Sequence, residues 1–267
     1  MKSEKKPFYK RKGITLCLTA AFWLAVWEAA SLAVDLEFLL PSPQRVAQRL
    51  AALAGEAEFW AAAGGSMARV LAGFLLALAA GLLCAALAFR FSPFAALLQP
   101  LLNMIKSTPV ASFILLALVW IPSPGVPVFT SFLMVFPLVF GNVLSGMQNT
   151  DPRLLEMGRM FGFSSAAMLR HIILPSAAPY LIAACTAGLG LAWKAGVAAE
   201  VLANTRLSLG GQIYSSKIYM ETPNLFAWTA VVIVLSVALE KIVLRLMRRL
   251  LLRFHLEAAY ADPSKSV

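Results

Sequence analysis

The chain has 267 residues, 60% of them hydrophobic and 13% charged, with a formal net charge of +10 and a mean hydropathy of +0.77. Soluble domains run at about 45–50% apolar residues, so this composition excludes an ordinary soluble enzyme and leaves room for about six membrane spans of ~20 residues each. No basic patch interleaved with aromatic residues argues for nucleic acid, and the positive charge reads as a topology signal.

In chain order, a basic tail over 1–13 carries Lys2, Lys5, Lys6, Lys10, Arg11 and Lys12. An apolar run over 14–34 follows. It is longer than a signal-peptide core and holds Trp23, Trp27 and Glu28, so it is read as a retained anchor. Leu40-Pro41-Ser42-Pro43 then starts a helix, with Ser42 as its cap and Pro43 at its first position. Val46, Leu50 and Leu53 share one face of that helix, which predicts an amphipathic element lying on the outer surface. Further spans are expected over 70–89, 98–120, 126–147, 177–199 and 225–246. Lys106 and Pro109 interrupt the third.

Between the fourth and fifth spans lies a polar stretch, Asp151 to Pro175. Asp151 caps a helix that has Pro152 in its first turn. Leu154, Leu155, Met157, Met160 and Phe161 recur at helical spacing and predict one oily face. Gly162 stops this helix, Ser164 or Ser165 caps a second, and Pro175 is expected to separate the second from the following span. The prediction is a short helix–turn–helix on the membrane surface.

Charges inside spans cost roughly 2.5–3.5 kcal/mol for a central Lys or Arg. Ala183, Ala187, Gly190 and Lys194 fall on one helical stripe of small residues that ends in a cation. Two readings stay open for Lys194: a cation lining an aqueous path, or a lysine that only supports a helix contact or snorkels. Glu200 lies about 240° around the helix from Lys194 and is expected near the outer end of its span. Lys106 is placed near the inner end of its span, where snorkelling is the simpler reading. Cys17, Cys84 and Cys185 sit in apolar spans at no metal or redox spacing, and His171 and His255 are isolated. No catalytic dyad, metal site or cofactor site is expected. No G-x-x-x-x-G-K-[ST] phosphate loop occurs, so any ATP must be bound by another subunit.

Glu156, Gly162, Ile172, Leu174 and Pro175 fall at the spacing Glu-Ala-Ala, three residues, Gly, nine residues, Ile-x-Leu-Pro. In this the stretch resembles the coupling loop of ABC-importer permeases, with Met157 and Gly158 standing where that family has two alanines. The Leu-Pro-Ser-Pro segment, the basic residue of Lys106-Ser107-Thr108-Pro109 and the run Leu191-Ala192-Trp193 are similar to the nitrate, sulfonate and taurine permeases over about 38–250. Lys194 stands where those have an apolar residue.

The resemblance implies an all-α membrane fold of about six transmembrane helices with a cytoplasmic coupling helix pair, the type I ABC-importer permease fold. It implies a basic tail over 1–13, a permease domain over 14–250 and a cytoplasmic tail over 251–267. The implied function is translocation of a small solute, an anion or zwitterion such as nitrate, a sulfonate or taurine, or a pyrimidine vitamin precursor. The implied partners are cytoplasmic ABC ATPase subunits, an extracytoplasmic solute-binding protein, a second copy of the chain and membrane lipid, with no nucleic acid. The chain itself is then not an enzyme. Glu156, Gly158, Gly162, Ile172, Leu174 and Pro175 become the ATPase-coupling residues, and Lys106, Gly190 and Lys194 the candidates for the path. Most of the arginines and lysines fall on the side of the termini and the coupling segment, which places both termini in the cytosol of a bacterial cell. An ion-coupled secondary transporter and a non-transporting scaffold remain as rivals; neither accounts for the spacing from Glu156 to Pro175.

Overall fold

The computed structural model describes residues 12–253; the two terminal tails, His255 among them, lie outside the described residues. Helix α1 (Lys12–Val34) is followed by α2 (Pro43–Ala54), α3 (Ala57–Arg90), α4 (Ser92–Ser107), α5 (Val110–Ala117), α6 (Val126–Gln148), α7 (Pro152–Met160), α8 (Ser165–Met168), α9 (Leu174–Leu202), α10 (Leu209–Ile218) and α11 (Thr222–Arg253). Five of the described helices are long and apolar enough to cross a membrane. A sixth crossing results if α4 and α5, bent by 102° at their junction, form one broken span. This is the all-α multi-span architecture the sequence predicts.

The centre of the molecule is a three-helix cluster of α3, α6 and α9, which pack against one another because small residues let their backbones approach. Gly73, Ala77, Gly81 and Ala85 recur every fourth residue on α3 and are all buried. A methyl group on Gly81 would sit 2.7 Å from Cγ1 of Val139, and one on Gly196 would sit 2.6 Å from Cγ2 of Val70. At the α6–α9 crossing, a methyl on Gly146 would press within 2.9 Å of the Tyr180 ring. Trp193 of α9 is buried in this core and donates its indole N–H to the Val232 carbonyl of α11 at 3.2 Å.

Around this cluster the other elements are peripheral. The predicted amphipathic helix is α2: Ser42 accepts from the Arg45 amide, Pro43 opens the helix, and Val46 and Leu53 are buried. It rests on α11, where Arg49 donates to the Asn224 side chain. Helix α1 touches the body through Trp27, which donates to the Pro41 carbonyl at 3.1 Å and stacks on Phe226 at 5.8 Å.

Three expectations change. The second span begins at Ala57 rather than at 70, so 34 residues form one helix ~51 Å long, well beyond a ~30 Å hydrocarbon core. Pro175 does not separate the coupling segment from the span after it. Residues Leu169–Ile173 take a π-helical turn, with the Leu174 amide donating to the Leu169 carbonyl, so helix runs unbroken from Ser165 to Leu202. Pro175 follows the wide turn directly, as the second residue of α9. Finally, α10 was not foreseen.

Candidate functional site

The segment between α6 and α9 is built on two caps. Asp151 accepts from the Arg153 amide at 2.9 Å and Ser164 accepts from the Ala167 amide at 3.3 Å. Between them, α7 ends in a Schellman motif. The Phe163 amide donates to the Gly158 carbonyl at 2.9 Å and the Gly162 amide to the Arg159 carbonyl at 3.0 Å, with Gly162 in the left-handed region at φ +70°. A side chain at Gly162 would meet no atom within 4 Å. Space is therefore not the constraint within the chain, and the demand for glycine is one of backbone conformation.

Gly158 is the closer contact. It is buried, and a methyl there would stand 2.8 Å from Cδ1 of Ile172 and 2.9 Å from the sulfur of Met168. Ile172, itself buried, thus packs directly beneath α7 and joins the two halves of the segment. Leu155 packs against the main core, but the rest of the predicted oily face does not turn inward: Leu154 and Met157 are exposed, and Met160 and Phe161 are 87% and 75% exposed. Glu156 and Leu174 are exposed as well, and Pro175 is half-buried. The segment is a folded projection with an open apolar rim and accessible charge.

The path candidates separate in part. Lys106 is the penultimate residue of α4, at the break of the broken span. It lines a cavity of about 470 Å³ together with Pro137, Asn142 and Ser145 of α6 and Leu191 of α9. These lie along the central and coupling-side turns of α6, and Lys106 itself is exposed. Gly190 and Lys194 do not line this cavity. Both are on α9, Gly190 half-buried with open space where a side chain would be, and Lys194 exposed. Leu191 joins the two regions, one turn before Lys194.

Glu200, expected near an outer end, is fully buried. Its carboxylate accepts from Ser66 at 2.6 Å, from Arg69 at 3.0 Å and from the Gly210 amide at 3.2 Å. Arg69 also donates to the carbonyls of Arg206 and Leu207. Ser66 in turn accepts from the Leu209 amide at 2.8 Å. One node therefore ties α3, α9 and the start of α10 at the end of the molecule remote from the coupling segment. The sequence signal was available: a carboxylate in an apolar helix needs a cation, and Ser66 and Arg69 lie three residues apart on one helical face.

Long apolar helices around a broken span, with a doubly capped projection at one end, make a multi-pass membrane architecture. Residues 77–254 match the family described as "Binding-protein-dependent transport system inner membrane component", and the chain belongs to that family. It is 27% identical to the taurine transport system permease protein TauC of Escherichia coli strain K12, over 88% of this chain and 86% of that one. It is also 27% identical to the putative aliphatic sulfonates transport permease protein SsuC of Bacillus subtilis strain 168, over 93% and 91% of the two chains. A crystal structure of an amino acid ABC transporter with histidines has a chain of the same fold, with a TM-score of 0.58 at 19% identity, covering 69% of this chain and 90% of that one.

Proposed function

We propose that this chain is the membrane-spanning subunit of an ATP-driven importer in a bacterial cytoplasmic membrane. Two copies form the path, two ATPase subunits bind on the cytosolic side, and an external binding protein delivers the solute. The observation that carries the reading is the projection over 151–173: a rigid, capped element with an exposed apolar rim, in a family of binding-protein-dependent permeases. Met160 and Phe161 are too exposed to serve the chain's own core, and they suit a groove on an ATPase. Both termini lie in the cytosol, on the same side as this projection.

The solute is a small organic anion or zwitterion of the sulfonate kind. The taurine and sulfonate relatives support this, as do two accessible lysines, Lys106 on the broken span and Lys194 on α9. The test is ATP-dependent uptake of taurine and of ethanesulfonate by the complete complex in proteoliposomes, with the binding protein supplied outside. ATP-dependent accumulation that stops without the binding protein is expected. Uptake driven by an ion gradient without ATP would overturn the reading in favour of a secondary transporter.

A further inference from the structure

From the lateral cavity we infer that Lys106, Asn142 and Ser145 form an intramembrane subsite for the anionic head of the transported solute. The inference rests on the transport reading and adds a location and a charge to it. Its first support is the backbone. The helix axis turns by 102° between Ser107 and Val110, and the end of α4 stands at this break beside the cavity. Irregular backbone at membrane depth is tolerated only where it is packed in protein or lines a water-filled cavity, and broken helices are a recurrent way to present polar groups to a solute there.

The second support is the side chains at that break. Lys106 is exposed to the cavity and forms no ion pair among the described residues. No acidic residue lines the cavity with it. Thr108 is turned back on the Met104 carbonyl at 2.8 Å, and one amide hydrogen of Asn142 is used on the Leu138 carbonyl at 2.8 Å. The second Asn142 hydrogen, the Ser145 hydroxyl and the Lys106 ammonium remain as donors. A lysine within a span costs several times the thermal energy unless it is paired or hydrated, and three donors with no carboxylate match an anion.

The third support is size and continuity. About 470 Å³ lies within the range of small-molecule sites and exceeds what a lone water chain needs. The apolar wall, Pro137 and Leu191, suits a short hydrocarbon body behind the charged head. Leu191 is followed one turn later by Lys194 on the same face of α9, so a second cation stands along the helix in the direction away from the coupling segment. An anion arriving from that end meets Lys194 first and Lys106 next.

The experiment places a reporter thiol in the cavity. At Gly141 a Cβ would meet nothing within 4 Å, so Gly141→Cys fits the space. Met134→Cys, on the cavity wall, is the second reporter should the first assemble poorly. Cys17 and Cys84 are replaced by serine, and Cys185 is buried. The assembled complex is treated with a sulfonate-bearing methanethiosulfonate and with its trimethylammonium counterpart, and the ratio of the two modification rates is read. Lys106→Gln is expected to lower the anionic-to-cationic ratio by about tenfold, the low end of what a cleft of one sign does to local concentration. Lys106→Arg is expected to keep it, and millimolar ethanesulfonate to slow labelling only when residue 106 is basic. A ratio unchanged by Lys106→Gln overturns the subsite. The ratio needs neither ATP nor binding protein, so a complex that labels as expected yet never transports would bring down the transport reading alone.

Discussion

At Gly162 and Glu200 single residues do work that the chain's overall hydrophobicity cannot. The Schellman turn at Gly162 needs a left-handed backbone, which costs a residue with a Cβ about 1–2 kcal/mol and a β-branched one more. Asn tolerates that region, so the expected order of damage is Gly162→Val worst, Gly162→Ala intermediate and Gly162→Asn least. The measurement is the ratio of solute imported to ATP hydrolysed, alongside ATPase pull-down from the same membranes. An order set by side-chain volume alone would point to steric packing against a partner instead. Glu156→Ala should be milder than any of these, since an exposed ion pair is worth about 0–1 kcal/mol.

The Arg69–Glu200 pair is the opposite case. Glu200 has no access to solvent, and breaking a buried pair by removing one partner costs about 3–5 kcal/mol, whereas replacing both can be nearly neutral. Arg69→Met should therefore lower the unfolding temperature in detergent more than the double change Arg69→Met with Glu200→Met. A double variant as damaged as the sum of the singles would show the two residues to be uncoupled.

At the scale of the element, sequence and structure agree where one helix is enough and part where two must meet. The motif positions from Asp151 to Gly162, the cap at Ser42 and the interruption at Lys106 and Pro109 were all readable, because caps, prolines and glycines act within a few residues of themselves. The start of α3 was not. Glu56, Glu58 and Arg69 dilute the hydropathy of its first turns, and the partners that hold those turns, Glu200 and the Leu207 carbonyl, are more than a hundred residues away. Gly158 was legible only as a departure from alanine. Its reason appears when Ile172 is seen against it. The α3 stripe Gly73, Ala77, Gly81 and Ala85 was present in the sequence and marks the central packing face. It predicts a contrast between two glycines of one helix. Gly64 faces open space while Gly81 abuts Val139. Gly64→Ala should stabilise by up to ~1 kcal/mol through helix propensity, and Gly81→Ala should destabilise by about 1–3 kcal/mol through overpacking. Thermal unfolding of the two variants in the same detergent decides it; equal shifts would mean that the α3–α6 contact is slack.

For the whole molecule, the face of α9 that carries Ala183, Ala187 and Lys194 is exposed in the single chain, next to the mouth of the Lys106 cavity. A path needs a second wall there. Native mass spectrometry of the detergent-solubilised complex should find two copies of this chain with two ATPase chains. One copy beside a different permease would replace the homodimer with a heterodimer. Lys194→Met should leave that assembly intact and slow uptake of an anionic solute; undiminished uptake would make Lys194 a purely structural residue.

The π-helical turn at Leu169–Ile173 bears on how such a machine turns nucleotide chemistry into motion. It holds one residue more than an α-helix needs to cover the same stretch, so it works like the key on a shaft: it sets the angle at which the projection is mounted on α9. Because helix continues from α8 through it into α9, a push that reaches α8 would turn α9 rather than being lost in a hinge. Inserting one residue into the plain α-helix just after this turn would re-clock the projection by about 100° around the α9 axis. The membrane part would still be made and still bundle, while its drive would engage out of phase, hydrolysing ATP and moving nothing.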